Sequence, residues 1–124
     1  MHCEVGVTEY KPVWPTKARD FVMLTAWQEP QTAAGHTAAP ERYVVASKSV
    51  PHPRCPPRKA FVRGCVDCGG YVIRTIPQRP DMCHLTMVTQ SDLGGDLPVA
   101  LVNKLSQNAP IKMIKALRKC VESR

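Results

Sequence analysis

The amino-acid sequence predicts an α+β fold, in which an antiparallel β-sheet is followed by one long helix. Before Gly95, several segments are β-branched and alternate along the chain, which is the pattern of β-strands. From Leu97 to Val121, apolar residues recur every three or four positions, as in an amphipathic helix. The chain has 124 residues, of which 44% are hydrophobic. This is enough for one core, and we expect a single domain over residues 1–124.

The first two strands are predicted from valine-rich runs on either side of a proline-containing segment. Residues 2–10 mix valines with polar residues, and Pro12 and Pro15 end that strand because proline lacks the N–H donor of a sheet ladder. Residues 19–27 form the second predicted strand. Its side chains are apolar on both alternating faces, so we expect both faces to be covered.

The middle of the chain predicts two strands joined by a stiff connection. Residues 29–40 are rich in Gly, Ala, Thr and Pro and are expected to form a flexible loop. Residues 42–50 form the third strand, and residues 61–75 form the fourth, with a bulge or bend at Gly69-Gly70. The connection between them, residues 51–57, contains four prolines and re-aims the sheet; we call it the proline hinge.

The last strand and the helix complete the fold. Residues 82–91 predict a fifth strand, which the run Asp92-Leu93-Gly94-Gly95 ends. Asp96 lies just before the helical pattern, and Pro98 suits a first helical turn. Pro110 lies inside the pattern and is expected to kink the helix, because proline removes a backbone hydrogen bond and clashes with the preceding turn.

The charge of the chain predicts an anionic partner. The formal net charge is +7, and residues 43–66 contain five Lys or Arg and no acidic residue. We expect Arg54, Arg58 and Lys59 at the proline hinge to be free for solvent or a membrane. Residues 104–124 contain six more basic residues against Glu122 alone. Nucleic acid and an acidic membrane surface both fit this balance.

The sequence favours a cytoplasmic, soluble protein. No run approaches the roughly 20 apolar residues of a membrane span, and the N-terminus lacks the pattern of a signal peptide. The six cysteines are therefore expected to be reduced thiols.

Several short motifs follow one another along nearly the whole chain. They are Trp14-Pro15, Arg19-Asp20-Phe21-Val22, Ser47-Lys48-Ser49-Val50-Pro51-His52-Pro53, Pro56-Pro57, Val62-Arg63-Gly64, Gly70-Tyr71-Val72-Ile73, Leu85-Thr86-Met87-Val88, Asp92-Leu93-Gly94-Gly95 and Leu97-Pro98. In their order and spacing, these motifs resemble the later part of a START domain, the lipid-transfer domain related to the steroidogenic acute regulatory protein.

The resemblance implies a helix-grip fold, in which a curved antiparallel sheet wraps around the C-terminal helix and encloses one lipid. The helix and nearby loops would act as a lid that opens at a membrane. The hinge sequence is most similar to the phosphatidylcholine-transfer-like branch. The sterol branch has a basic residue where this chain has Thr25, so we expect a phospholipid rather than a sterol. Family members begin with further helices and strands, so we expect a partial domain.

Side-chain parity along the strands, combined with the resemblance, predicts which residues contact the lipid. The expected set is mostly apolar with a few hydroxyls, as small-ligand sites generally are. Its members are Met23, Thr25, Val45, Ser47, Val66, Cys68, Val102, Leu105, Ala109, Met113 and Leu117. Plain core packing would satisfy the same pattern. The residues expected to contact the membrane are Lys104, Lys112, Lys115 and Arg118.

A zinc site is a competing interpretation of the cysteines. Cys65 and Cys68, followed by Cys83 and His84, have the number and type of ligands that zinc prefers. However, Cys65 and Cys68 are three apart in a strand pattern and are expected to face opposite sides, and Cys83 and His84 are adjacent and diverge. We therefore expect no metal and no cofactor.

Catalysis and nucleic-acid binding compete with lipid binding as functions of the chain. A hydrolase would need Ser47 or Ser49 to meet His52 and Asp20, and no nucleophile elbow is present, so we expect no enzyme activity. A basic nucleic-acid-binding or protein-interaction domain without a lipid ligand is the second hypothesis, although the chain has no recognisable element that reads bases. The sequence thus favours a monomeric lipid-binding protein that contacts anionic membranes transiently and does not bind nucleic acid.

Overall fold

The computed structural model of the chain describes residues 1–28 and 42–124. The predicted loop at residues 29–40 lies outside these described residues. The described elements are β1 His2–Tyr10, β2 Ala18–Gln28, β3 Arg42–Ser49, β4 Phe61–Arg63, β5 Cys65–Thr75, β6 Cys83–Asp92 and α1 Val99–Glu122. They divide into two compact units, Met1–Gly94 with the strands and Gly95–Arg124 with the helix. The predicted α+β class is confirmed, whereas the single domain stays a prediction.

The strands form one sheet with the order β1-β2-β3-β5-β6. These neighbours are all antiparallel, and the short β4 is the exception because it pairs in parallel with Ala18, Arg19 and Asp20 of β2. The fourth predicted strand is thus two strands, and it is interrupted at Gly64 instead of at Gly69-Gly70. Gly64 is buried, and a Cβ there would lie 2.3 Å from Cε1 of Phe21. The backbone passes so close to the ring that only glycine fits.

A bulge in β5 sets which side chains share a face. The pairing with β6 shifts between Val66 and Cys68, so Asp67 has no directly opposite partner. Cys65 lies opposite Asp92 and Cys68 lies opposite Gln90, and those two β6 residues are two positions apart. Cys65 and Cys68 therefore share one face, and the prediction that they face opposite sides is wrong.

The register divides the sheet into two faces, since directly opposite residues lie on the same side. We call them the Thr25 face and the Lys48 face. On β2, β3, β5 and β6, the Thr25 face includes Phe21, Met23, Thr25, Trp27, Val45, Ser47, Ser49, Val66, Gly69, Tyr71, Ile73, Leu85 and Met87. The Lys48 face includes Asp20, Val22, Leu24, Arg42, Val44, Ala46, Lys48, Cys68, Gly70, Val72, Arg74, His84 and Val88.

The buried core lies where β2 begins. Among the described residues, the buried hydrophobic side chains are Phe21, Val22 and Val66. Both faces of β2 are therefore covered at this end of the sheet, as expected. Further along β2 the expectation is wrong, because Leu24 on the Lys48 face is 37% exposed.

A buried carboxylate ties this end of the sheet together. Asp20 is 1% exposed, and Arg63 binds it in a bidentate manner, with Nε 2.8 Å from Oδ1 and Nη2 3.1 Å from Oδ2. These hydrogen bonds, followed by that from Arg58, hold the pKa of Asp20 below its usual value although burial acts in the opposite direction. The Arg63 guanidinium also donates to the carbonyl oxygens of Cys55 and Pro56. One arginine thus joins β2, β4 and the proline hinge.

Arg58 is a structural residue, which corrects the prediction that it is free for solvent or membrane. Its Nη2 lies 2.5 Å from Oε1 of Glu9 and 3.3 Å from Oδ2 of Asp20. Its guanidinium also lies over the ring of Phe61, 4.1 Å from the centroid. Arg54 and Lys59 are exposed, as expected.

The helix α1 begins two residues later than predicted and runs through Pro110 without interruption. Pro98 occupies the cap position, and its carbonyl oxygen accepts hydrogen bonds from the N–H groups of Leu101 and Val102. The cap has no side-chain hydrogen bond, so Asp96 does not cap the helix.

Replacing Asp20 tests the importance of the buried carboxylate. The folded-state pKa is lowered, so the stabilisation is complete above the unfolded-state value of about 4 and is lost as the pH falls through the folded value. We expect Asp20→Asn to lower the free energy of unfolding at pH 7 by about 3 kcal/mol, because it leaves two arginines without their buried partner. The variant is also expected to lose part of the acid dependence below pH ~4. Urea unfolding at several pH values measures both effects.

The matched control is Asp81→Asn, which removes an exposed carboxylate that pairs with Arg79 at 3.5 Å. We expect little change, since exposed ion pairs contribute little. Equal losses of stability in the two variants would contradict the role assigned to Asp20.

Candidate functional site

The Thr25 face carries a line of hydroxyl groups among apolar side chains. Thr25 of β2 lies opposite Ser47 of β3, and their oxygens Oγ1 and Oγ are 3.0 Å apart. Ser49 lies opposite Met23, and its Oγ accepts a hydrogen bond from the backbone N–H of Val66 at 2.8 Å. Because hydroxyls both donate and accept, this line can bind a polar group that reaches the face.

Two glycines lie on this face, and one of them leaves open space. Gly69 lies opposite Ser47, and Gly6 lies opposite Met23. A Cβ added at Gly6 would meet no atom within 4 Å, whereas one at Gly69 would meet Cγ1 of Val66 at 3.1 Å. The face is therefore open at Gly6, and Val66 fills the space beside Gly69.

Aromatic pairs lie on the same face at both ends of β2. His2 and Trp27 are stacked with ring centroids 5.6 Å apart, and Tyr10 meets Phe21 edge-on at 5.7 Å. Both pairs join β1 to β2, so the hydroxyl line is bounded by apolar and aromatic surface at each end of the strand.

The structure brings together most of the predicted sheet residues. Met23, Thr25, Val45, Ser47 and Val66 share the Thr25 face, which confirms that part of the parity argument. Cys68 lies on the Lys48 face, because the bulge at Asp67 reverses the alternation between Val66 and Cys68. The predicted place of Cys68 on the same face as Thr25 is therefore wrong.

On β5 and β6, sequence reasoning missed four half-buried side chains of this face: Tyr71, Ile73, Leu85 and Met87. Their face can be assigned by parity from Val45 and Ser47 only when the register between β3 and β5 is known. In the structure these side chains are half-buried, whereas the residues on the other face of β6 are exposed. This difference follows the alternation of side chains along a strand.

The helix residues predicted to contact the lipid form one stripe of α1. Val102 and Leu105 are half-buried, whereas Ala109, Met113 and Leu117 are exposed. At 3.6 residues per turn these five lie on one side of the helix, and Lys104, Lys112, Lys115 and Arg118 lie on another. The helix is amphipathic, as predicted.

The zinc and hydrolase sites are not assembled. Within residues 1–28 and 42–124, no three His, Cys, Asp or Glu side chains are placed to hold a metal ion. Cys65 and Cys83 lie at opposite ends of the β5–β6 ladder, so the residues considered as zinc ligands are far apart. Asp20 lies on the Lys48 face and is bound by arginines, whereas Ser47 and Ser49 lie on the Thr25 face, which separates the hydrolase residues.

The connection between β1 and β2 presents an apolar tip at the Trp14-Pro15 motif, whose exposure the sequence did not indicate. Trp14 is 89% exposed, and Val13 beside it is also exposed. A turn shapes the tip, because both the backbone N–H and the hydroxyl of Thr16 donate to the carbonyl oxygen of Val13, at 2.7 and 2.6 Å. Lys11 and Lys17 flank it. The tip thus combines exposed apolar surface with neighbouring positive charge.

None of the described helices has the length and apolar character needed to cross a bilayer.

Comparison with known proteins identifies relatives along nearly the whole chain. The model of the START domain family matches residues 4–124. The START domain-containing protein 10 of Mus musculus is 34% identical over 123 residues, which are 98% of this chain and 38% of the relative. The StAR-related lipid transfer protein 5 of Bos taurus is 32% identical over 106 residues, or 84% of this chain and 45% of the relative. The chain thus spans less than half the length of these relatives.

Two solved structures share the fold. The crystal structure of human STARD10 matches with a TM-score of 0.75 and 35% identity, over 94% of this chain and 43% of that one. The human StAR-related lipid transfer protein 5 matches with a TM-score of 0.75 and 24% identity, over 96% of this chain and 53% of that one. The predicted helix-grip class and the predicted branch of relatives are confirmed.

A double-mutant cycle tests the hydroxyl pair of the Thr25 face. We expect Thr25→Val and Ser47→Ala to couple by about 1 kcal/mol in the free energy of unfolding, which is the net contribution of one hydrogen bond. Urea denaturation of the two single variants and the double variant measures the coupling. Thr86→Val with Ser47→Ala is the control, since Thr86 is exposed on the other face. Full additivity of the Thr25 and Ser47 changes would contradict the contact.

Proposed function

We propose, because the chain belongs to the START domain family, that it binds a single lipid and exchanges it at membranes. The observation that carries the proposal is the family match over residues 4–124. One relative is named a lipid transfer protein, and it aligns with 84% of this chain. The proposed ligand-contacting residues are those of the Thr25 face and of the apolar stripe of α1.

The chemistry of the Thr25 face supports a lipid ligand. It combines apolar side chains with the hydroxyls of Thr25, Ser47 and Ser49, and it carries glycine at two positions. Lipid sites need mostly apolar surface with a few polar groups that fix orientation. A phospholipid has ester and phosphate oxygens that use several donors, whereas a sterol has a single hydroxyl. We therefore favour a phospholipid.

The proposed role is binding without catalysis. Ser47 and Ser49 lie on the opposite face from Asp20, and the Asp20 carboxylate is saturated by hydrogen bonds from two arginines. A carboxylate held in this way has a lowered pKa and is a poor general base.

Membrane contact is proposed for two surfaces, one in each unit of the chain. Trp14 and Val13, flanked by Lys11 and Lys17, provide an apolar tip with positive charge. The basic stripe of α1, defined by Lys104, Lys112, Lys115 and Arg118, provides electrostatic attraction of about 1 kcal/mol for each residue near an anionic surface. We propose transient, peripheral association of a monomer.

Replacing Met113 by arginine tests the ligand-contacting role of the helix stripe. We expect Met113→Arg to abolish uptake of a fluorescent phosphatidylcholine from liposomes, because it places a charge where an apolar chain would lie. The matched control is Ile111→Arg, which adds the same charge on the basic side of the helix, at an exposed position. We expect the control to retain uptake.

Folding of both variants is checked by circular dichroism before the uptake assay. Unchanged uptake in Met113→Arg, with the wild type active, would contradict the role of the stripe. Absence of lipid uptake by the folded wild type would contradict the proposed function itself.

Removing Trp14 tests the proposed membrane tip. We expect Trp14→Ala to weaken binding to vesicles of phosphatidylcholine and phosphatidylserine roughly tenfold, since burial of a large apolar side chain contributes about 1.5 kcal/mol or more. Trp14→Phe is expected to retain most of the binding. Vesicle co-sedimentation measures it, and equal binding of the wild type and Trp14→Ala would exclude the tip as a membrane contact.

A further inference from the structure

Three basic side chains lie in one row across β3, β5 and β6. Arg42 is directly opposite Arg74, and Arg74 is directly opposite His84. Directly opposite residues share a face, and their Cβ atoms lie about 5 Å apart. Two arginines and a histidine therefore extend from neighbouring positions on the Lys48 face, and all three residues are exposed.

No carboxylate pairs with this row in the part of the chain that the structure describes. The arginines with ion pairs there are Arg58, Arg63 and Arg79. Like charges directly opposite each other destabilise a sheet. When neighbouring charges lower the stability of a fold and no opposite charge within the protein compensates them, a functional site is the expected explanation.

Two residues of the row, Arg42 and Arg74, border an open cavity. A depression of about 710 Å³ is lined by Arg42, Arg74, Thr75 and Pro77. This volume lies in the range of small-ligand sites, so it accommodates more than a bare ion.

The donor set selects one class of anion. Guanidinium groups bind phosphate oxygens with paired, charge-assisted hydrogen bonds. Two guanidinium groups carry a charge of +2, which matches a phosphate monoester near its dianionic form. The imidazole N–H of His84 supplies a further donor to a ligand that spans two strand pairs.

We propose that Arg42, Arg74 and His84 form a binding site for a phosphate monoester group, with the organic part of the ligand in the depression beside them. The site differs from the lipid-binding surfaces proposed above, because it lies on the Lys48 face. It also lies at the other end of the sheet from Trp14, since Val44, close to Arg42, pairs with Gln28 at the end of β2, whereas Trp14 precedes the start of β2. It therefore does not depend on the proposed lipid exchange.

The first experiment titrates the ¹⁵N-labelled chain with inorganic phosphate and follows backbone amide shifts, with sodium chloride at equal ionic strength as the reference. The proposal predicts phosphate-specific shifts at Arg42, Arg74 and His84. In the double variant Arg42→Gln with Arg74→Gln, the affinity falls tenfold or more. The control, Arg54→Gln with Lys59→Gln, removes the same charge from exposed positions at the proline hinge and changes the affinity less than twofold.

The second experiment measures thermal unfolding of the same proteins. In phosphate-free buffer, the double variant at Arg42 and Arg74 is expected to be at least as stable as the wild type, because a like-charge contact is removed. Phosphate raises the melting temperature of the wild type but not of this variant, since ligand binding stabilises only a protein that has the site.

Two ligands distinguish the source of the phosphate group. Glycerol 3-phosphate represents a soluble ester, and phosphatidylcholine vesicles with and without phosphatidic acid represent a lipid headgroup. If either ligand binds, and the Arg42 and Arg74 changes weaken that binding while the hinge control does not, the result supports the proposal and identifies the source of the phosphate group.

Three results would overturn the proposal. The first is the absence of phosphate-specific shifts in the wild type. The second is an equal loss of affinity in both double variants, which would show an effect of net charge alone. The third is a marked destabilisation of the Arg42 and Arg74 variant in phosphate-free buffer, which would show that the arginines serve the fold.

Discussion

The buried carboxylate of Asp20 is the group on which the end of the sheet where β2 begins depends. It receives two hydrogen bonds from Arg63 and one from Arg58, and through them it connects β1, β2, β4 and the proline hinge. A buried charge is tolerated only with such partners, and the removal of one side of the pair leaves the other uncompensated. The hinge is therefore held by charge and by carbonyl acceptors as well as by the stiffness of its prolines, and Arg58 beside it is committed to the fold whereas Arg54 is exposed.

The second constraint is the register, which determines what each face of the sheet can bind. The bulge at Asp67 places Val66 with the hydroxyl line of Thr25, Ser47 and Ser49, and it places Cys68 on the opposite face. The register also requires glycine at position 70, where φ is +149° and the backbones of β3 and β5 lie close together. A Cβ at Gly70 would lie 2.0 Å from the carbonyl oxygen of Val45. One face thus combines hydroxyls with apolar surface, and the other carries the arginine row. Lipid binding and phosphate binding are accordingly proposed for different faces.

Local patterns predicted most of the fold, and long-range contacts account for what they missed. Alternation predicted the strands β1 to β3 and β6 nearly to the residue, and helical periodicity predicted α1, because both depend on neighbours in sequence. The break at Gly64 depends on the ring of Phe21, and the role of Arg58 depends on Glu9 and Asp20, which are distant in sequence. Parity correctly grouped Thr25 with Ser47. It failed at Cys68 because a single extra residue in a bulge reverses every later assignment.

Native mass spectrometry of the chain purified from cells, followed by lipid extraction, tests the central claim most directly. If the chain binds lipid as proposed, we expect a population with one bound lipid per chain, and a phospholipid in the extract. A folded chain that carries no lipid and takes none from liposomes would contradict the proposal. Recovery of RNA or DNA in place of lipid, with binding that weakens steeply as salt rises, would favour a nucleic-acid-binding domain instead.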